Sequence, residues 1–229
     1  MPKARTAEKL DEKIRARNVR LILDVATDVF SRKGFDGTRI AEIAELAELP
    51  KANIYYYFSS KEEIYSAIIS RLITGWDDAL SNINADRAPA DALRDYVRAK
   101  LDYTRDNPRE SRLFANEIIQ GARFLSEKDR AHMRAATDRH VAVLEQWMKD
   151  GRMTAVDPRH FFIMLWGATQ FYSDFEPLAC DALKAQKMSA KDYDMAAETI
   201  VRTILGGVIP PAPRDKLSRP RSHSRAVHV

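Results

Sequence analysis

The chain has 229 residues, of which 45% are hydrophobic, and this is enough to build a core in one large domain or two small ones. The net charge of +4 belongs to the C-terminal end, because residues 211–229 hold five basic side chains and one acid whereas residues 1–210 hold 32 of each. The hydrophobic content excludes a chain that is disordered throughout. The position of the excess positive charge means that the overall basicity says little about the folded part.

Cysteine and histidine usage excludes several classes of protein. The single cysteine, Cys180, cannot form an internal disulfide, and the five histidines give no pair at i and i+4 within a helix. The N-terminal residues lack the apolar core of a signal peptide, and no window approaches about 18 uninterrupted apolar residues. We therefore expect a cytoplasmic protein that does not span a membrane and that has no metal site and no cofactor.

Hydrophobic periodicity and capping residues predict an all-α protein of about nine helices. The first helix has apolar residues at helical spacing from Val19 to Phe30 and stops at Gly34. Later helix starts have side chains that can accept hydrogen bonds from a first helical turn, namely Ser60, Asn107, Ser126, Asp157 and Ser189. The further helices are predicted near residues 39–47, 51–58, 61–84, 89–106, 108–121, 126–150, 158–178 and 190–206.

The two short helices after Gly34 predict a helix-turn-helix. Each is too short to be stable alone, and only three residues, 48–50, join them. Ile43 and Ala47 face inward from the first helix, and Ile54 and Phe58 face inward from the second. A DNA-binding domain over residues 1–60 follows, with a ligand-binding and dimerisation domain over 61–208 and a flexible basic tail over 209–229.

The outward side of the second short helix suits DNA. It presents Lys51, Asn53, Tyr56 and Tyr57. In a major groove, Asn can pair with adenine, Lys can contact guanine or phosphate, and tyrosine hydroxyls can donate to phosphate. Singly, each residue is equally consistent with an ordinary surface or packing role. We expect at least one of Tyr55, Tyr56 and Tyr57 to pack on the core, since successive helical positions point about 100° apart. Their order and spacing together favour nucleic-acid binding.

The stretch from Phe30 to Ile64 resembles the N-terminal signature of the TetR family of transcriptional regulators. It contains F-x-x-x-G-F-x-G-T-x-x-x-x-I-A-x-x-A and continues into YYYFSSKEEI. The resemblance implies a homodimer, most simply a repressor that a small-molecule effector releases from a pseudo-palindromic operator. It also implies operator contacts at Thr38, Lys51, Asn53, Tyr56, Tyr57 and Lys61. From the residues themselves, Thr38 is expected to cap the first short helix, and Arg39 beside it is a further candidate DNA contact.

Two residues depart from the family pattern in the turn. Glu48 stands where glycine is usual, and a non-glycine residue with positive φ costs about 1 kcal/mol. Pro50 stands where a capping serine is common, so the second helix is expected to begin without a side-chain cap.

The C-terminal half contains polar residues on apolar helix faces, which is typical of a ligand pocket. Gln170 lies one turn after Trp166, and Glu117 points with Phe114. A side-chain amide can pair with the imide edge of a planar heterocycle, and aromatic rings can cover its face. Equally, Gln170 and Glu117 could be satisfied by other groups inside the core.

The segments YTRDNPRESRLFANEIIQGARFL and WGATQFYSDF resemble TetR-family regulators of pyrimidine utilisation. This resemblance implies uracil or thymine as effector, with Trp76, Phe114, Glu117, Trp166 and Gln170 as pocket residues. Two other hypotheses remain at this point. One is a regulator with a lipophilic or drug-like effector, and the other is a helical enzyme with Glu117 as general acid or base.

Overall fold

The computed structural model describes residues 2–77 and 81–210. Ten helices are found there: α1 (Pro2–Gly37), α2 (Ile40–Leu46), α3 (Lys51–Tyr57), α4 (Lys61–Gly75), α5 (Pro89–Asp106), α6 (Pro108–Ile119), α7 (Glu127–Lys149), α8 (Pro158–Asp174), α9 (Glu176–Leu183) and α10 (Ala190–Val208). These two ranges contain no strand. The all-α prediction is confirmed, and the described part has ten helices where about nine were expected.

Capping side chains begin most of the predicted helices. Ser126 and Asp157 accept hydrogen bonds from the backbone N–H groups of Asp129 and His160. Ser189 forms the complete capping box, in which its hydroxyl and the Asp192 carboxylate satisfy each other's backbone N–H groups. Asn107 is an exception, since its amide donates to the carbonyl of Tyr103 instead of capping α6.

Two predicted helices were too long. The helix predicted over 61–84 ends at Gly75, where the Trp76 N–H closes a tight turn on the carbonyl of Ile73. A Cβ at Gly75 would lie 2.9 Å from the hydroxyl of Tyr103, so the packing of α5 against the end of α4 requires glycine there. Residues 78–80 of the predicted helix lie outside the described residues.

The helix predicted over 158–178 is two helices. It breaks at Phe175, whose φ of −119° and ψ of 37° are not helical. The cause is Pro177, which cannot donate a hydrogen bond to the carbonyl of Ser173 and which disfavours a helical conformation at the residue before it.

Two hydrophobic cores divide the molecule. The first joins α1 to α4 and also includes Leu113 and Phe114 from α6 and Leu125 after it. The second joins α5, the C-terminal half of α7, and α8 to α10, around Trp147 and Phe162. Helix α6 therefore belongs to the C-terminal region in sequence but packs on α1 and α4 as well as on α8. The domain limits, with a boundary at residue 60, remain a prediction.

No helix within residues 2–77 and 81–210 is both long and apolar enough to cross a membrane. The predicted flexibility of the basic tail concerns residues 211–229, which lie outside the described residues. The cytoplasmic location also remains a prediction.

Candidate DNA-binding surface and effector cavity

The turn between α2 and α3 has the conformation that the sequence predicts. Glu48 has a φ of 52°, the left-handed value for which glycine is usual. The N–H of Leu49 donates to the carbonyl of Ala44 at 3.0 Å, which closes the turn. Pro50 occupies the N-cap position of α3 with no side-chain cap, as expected. The two short helices meet in a helix-turn-helix whose inward residues, Ile43 and Ile54, are fully buried.

Helix α3 exposes three of its four predicted DNA-contacting residues. Lys51 and Asn53 are exposed at its start, and Tyr56 is 71% exposed. Tyr57 is half-buried, because its ring packs on the N-terminal core and its hydroxyl accepts a hydrogen bond from the Asn18 amide at 2.9 Å. Of the three consecutive tyrosines, Tyr57 is therefore the one with a packing role.

The predicted capping role of Thr38 is wrong. The Thr38 side chain is only 1% exposed and its hydroxyl donates to the carbonyl of Gly34 at 2.7 Å. The N-cap residue of α2 is Arg39, which is exposed and makes no side-chain cap. Thr38 therefore closes the end of α1, where Gly34 has left the helical conformation with a φ of 69°, and its hydroxyl is not presented to a partner.

Lys61 also has an internal role that its sequence position does not reveal. Its ammonium donates to the carbonyls of Phe35 and Thr38 at 2.8 and 3.1 Å and lies 4.3 Å from the centre of the Phe35 ring. Two of its three donors thus hold the segment between α1 and α2. A phosphate contact through the remaining donor stays a prediction.

A cavity of about 100 Å³ lies between the two cores. Its lining includes four of the five residues predicted for a ligand pocket, which are Trp76, Phe114, Trp166 and Gln170. The rings of Trp76 and Phe114 meet edge to face with their centres 4.6 Å apart. On the opposite wall, the indole N–H of Trp166 donates to the hydroxyl of Tyr96 at 3.0 Å.

Glu117 is not a lining residue of this cavity. It is 2% exposed, and its carboxylate accepts a hydrogen bond from the Phe124 N–H at 2.5 Å. Burial, with Glu117 as a neighbouring charge and hydrogen-bond partner, raises the pKa of the Tyr65 hydroxyl. The alternative that Glu117 is satisfied inside the core therefore describes its position better than the predicted pocket role.

Lys100 brings a buried charged group to the cavity wall, and the sequence analysis did not predict it. The residue is 4% exposed, and its ammonium lies 4.7 Å from the centre of the Trp76 ring. Burial lowers the pKa of Lys100 to about 8, and the nearby Asp174 carboxylate partly opposes this shift. Its ammonium donates no hydrogen bond to any residue in the described part of the chain. A signal was present in the sequence, because Lys100 interrupts the apolar face of α5 one turn after Tyr96.

Polar residues of α7 complete the wall. His132, Thr137 and His140 line the cavity together with Asp77, which follows α4. The Nε2 atom of His132 lies 3.0 Å from a carboxylate oxygen of Asp77, and both side chains are partly exposed. This pair therefore stands where the cavity meets solvent. In the sequence, the spacing of the histidines was used only to argue against a metal site. The position of His132 and His140 in one cavity wall was not predicted.

A helix-turn-helix with a mainly apolar cavity behind it, into which a few polar groups point, is the arrangement of a helical DNA-binding transcriptional regulator. Two family models match the chain, "Bacterial regulatory proteins, tetR family" over residues 22–68 and "YcdC-like protein, C-terminal region" over residues 69–211. The chain belongs to the TetR family of transcriptional regulators.

Individual relatives agree with this assignment. The HTH-type transcriptional regulator RutR of Escherichia coli (strain K12) is 37% identical over 189 residues, which are 82% of this chain and 89% of that protein. The HTH-type transcriptional repressor NicS of Pseudomonas putida is 29% identical over 158 residues, or 66% of this chain and 74% of that protein.

Solved structures show the same fold. The TetR family regulator PfmR from Thermus thermophilus has a TM-score of 0.64 at 24% identity and covers 81% of this chain and 97% of its own. AibR, solved with isovaleryl coenzyme A and operator DNA, has a TM-score of 0.62 at 22% identity, covering 81% and 97%.

Proposed function

We propose that this TetR-family regulator is a homodimeric repressor that a small planar heterocycle, a pyrimidine such as uracil or thymine, releases from a pseudo-palindromic operator. The observation that carries the effector part is Lys100, a buried ammonium in the cavity wall with no hydrogen-bond acceptor among the described residues. A buried charge is expensive unless a partner satisfies it, and a ligand carbonyl would do so.

The other cavity groups fit the same ligand. The Gln170 amide offers a donor beside an acceptor, which matches the N–H and C=O of an imide edge. Trp76 and Phe114 supply rings that can cover a flat face. A cavity of about 100 Å³ can hold a small ring. Together with the resemblance to regulators of pyrimidine utilisation, these features favour a pyrimidine over a lipophilic effector.

Operator recognition would use the exposed start of α3. Lys51 and Asn53 would lie at base edges, and the hydroxyl of Tyr56 would donate to a phosphate. In a dimer, two such helices enter successive major grooves about 34 Å apart, which requires an operator with two-fold symmetry.

The dimer surface is proposed on α8 and α9. These helices expose apolar side chains that a monomer would leave in water, namely Ile163, Met164, Phe171, Phe175 and Leu178. Met195 on α10 is 56% exposed as well. Pairing of α8 and α10 with their mates would form a four-helix bundle.

Helix α6 offers a physical connection from the cavity to the DNA-binding helices. Phe114 lies in the cavity wall, and one turn later Glu117 holds the backbone of Phe124. The Phe124 ring is 4.2 Å from the Phe35 ring, centre to centre, and its carbonyl accepts a hydrogen bond from Ser66 on α4. A ligand that displaces Phe114 would thus move the segment just before α2. A coupling of about 1–3 kcal/mol would weaken operator binding roughly 5- to 150-fold.

Two variants test the two halves of this proposal. Lys51→Ala should weaken operator binding without changing dimer mass in sedimentation, and wild-type affinity would remove α3 from the DNA contact. Gln170→Ala should abolish the rise in melting temperature that uracil causes, and an unchanged rise would remove Gln170 from the effector site. The operator itself is obtained by selecting bound duplexes from a randomised pool.

A further inference from the structure

The amine of Lys100 lies in a setting that favours its neutral form. The side chain is almost completely buried in the cavity wall, and its nitrogen forms no hydrogen bond or ion pair with any residue in the described part of the chain. Burial lowers the pKa of Lys100 to about 8. At about pH 7.5, roughly a quarter of the Lys100 side chains would therefore carry a free amine, against roughly one in a thousand for a lysine of ordinary pKa. A free amine is a nucleophile, whereas an ammonium is not.

The titratable groups around Lys100 are engaged elsewhere or are neutral. Those that line the cavity with it are Asp77 after α4, Tyr96 of α5, and His132 and His140 of α7. The Asp77 carboxylate lies 3.0 Å from Nε2 of His132, where the cavity meets solvent. From α8, the Asp174 carboxylate accepts a hydrogen bond from the Ser111 hydroxyl and only partly opposes the effect of burial on the pKa of Lys100. The amine is thus left beside a mainly apolar cavity without an acceptor of its own.

The same cavity contains a hydroxyl that can donate a proton. Tyr96 lies one turn before Lys100 on α5 and is completely buried. Its oxygen accepts a hydrogen bond from the indole N–H of Trp166 at 3.0 Å and donates to no residue within 2–77 and 81–210. Burial raises the pKa of Tyr96, so the hydroxyl keeps its proton and can donate it to a ligand oxygen. A carbonyl group needs both partners, a nucleophile for its carbon and a donor for its oxygen.

We propose that Lys100 binds small aldehydes covalently, as a reversible Schiff base formed inside the cavity. The lone pair of the amine attacks the carbonyl carbon while the Tyr96 hydroxyl donates to the carbonyl oxygen, and transfer of a proton from nitrogen to oxygen gives a carbinolamine. Loss of water then leaves a C=N bond. One amine and one aldehyde thus give one imine and one water, without an oxidant or a reductant. This site does not depend on the proposed pyrimidine effector, although both ligands would occupy the same space.

The test traps the Schiff base and locates it. The full-length protein is mixed with propanal and sodium cyanoborohydride, which reduces an imine to a stable secondary amine. Peptide mass spectrometry then follows the propylation of Lys100 over time, with the exposed Lys184, Lys187 and Lys191 of the same samples as internal controls. Only lysines are compared, because an α-amino group of ordinary pKa near 8 reacts under the same conditions. The series is repeated between about pH 7 and pH 9, with Tyr96→Phe, and with saturating uracil.

We expect Lys100 to be propylated roughly tenfold or more faster than the exposed lysines near neutral pH. Its roughly 200-fold excess of free amine is offset in part by the lower nucleophilicity of a less basic amine. The rate at Lys100 should level off above about pH 8, whereas the rates at the exposed lysines should keep rising. Tyr96→Phe should slow the reaction at Lys100 alone.

The proposal is overturned if the exposed lysines react first or if Lys100 stays unmodified. An unchanged rate at Lys100 in Tyr96→Phe would remove Tyr96 from the reaction. Uracil should protect Lys100 and none of the exposed lysines, since it would fill the same cavity. Rapid propylation of Lys100 that uracil does not slow would contradict the proposed pyrimidine site and leave the Schiff base standing.

Discussion

Replacing Lys100 by methionine should make the protein more stable and unresponsive to its effector. Burial lowers the pKa of Lys100 from 10.5 to about 8, which means that the charged form is disfavoured in the folded protein. A pKa change of this size corresponds to about 3 kcal/mol of destabilisation at neutral pH. Methionine has a similar length and no charge, so it removes this cost without opening a large cavity.

The expected gain is smaller than that figure, because the ammonium also contacts the Trp76 ring at 4.7 Å. A desolvated cation–π contact of this kind is worth about 1–2 kcal/mol, and the variant loses it. The net stabilisation at neutral pH should therefore be about 1–2 kcal/mol, or roughly 2–8 °C in melting temperature for a protein of this size. Uracil should no longer raise the melting temperature of the variant.

The sign of the pH dependence provides the stricter test. Between about pH 8 and 10.5 the unfolded chain keeps the Lys100 proton while the folded chain has released it. The free energy of unfolding of the wild type should therefore rise relative to the variant across this window, by about 2–3 kcal/mol between roughly pH 7 and pH 10. Urea unfolding at equal protein concentration measures both. A variant that is less stable at neutral pH, or a difference that is the same at both pH values, would refute the reasoning.

Three further predictions follow from individual contacts. Gly75→Ala should lower the melting temperature, because the new Cβ would lie 2.9 Å from the Tyr103 hydroxyl, and Tyr103→Phe in the same chain should restore part of the loss; no recovery would show that the hydroxyl is not the obstacle. Phe124→Ala should keep both operator binding and the uracil thermal shift but reduce operator release towards onefold, since its ring connects α6 to Phe35; release at the wild-type ratio would exclude this route. Ile163→Asp should halve the mass in sedimentation equilibrium, whereas Ile119→Asp, at an exposed residue outside the proposed dimer surface, should not; an intact Ile163→Asp dimer would place the interface elsewhere.

Local chemistry made much of the fold predictable from the sequence. A serine, threonine or aspartate before a periodic apolar segment acts within one helical turn, and Ser126, Asp157 and Ser189 cap helices as expected. The helix-turn-helix was predictable for the same reason, since its two apolar faces and its turn fall within 21 residues, from Thr38 to Phe58. Pro177 is also a local signal in the sequence for the break near Phe175.

The errors concern contacts between segments that are distant in sequence. Tyr103 of α5 lies against Gly75 at the end of α4, and no property of residues 61–84 indicates that ring. Thr38 is a residue type that often caps helices, but the N-cap residue of α2 is Arg39, and the buried Thr38 hydroxyl donates to the carbonyl of Gly34. Four of the five predicted pocket residues do line one cavity, because aromatic and amide side chains on apolar faces point inward. Glu117 also lies on an apolar face, but its carboxylate accepts a hydrogen bond from the Phe124 N–H and does not line the cavity.

Effector binding in the cavity should weaken operator binding by the same protein, and one titration tests this directly. Fluorescence anisotropy with the selected operator, repeated at rising uracil concentration, should show operator affinity falling roughly 5- to 150-fold for the wild type and remaining constant for Lys100→Met. If uracil saturates the wild-type protein, as judged by its thermal shift, and operator affinity does not change, the account of this protein as an effector-released repressor is contradicted.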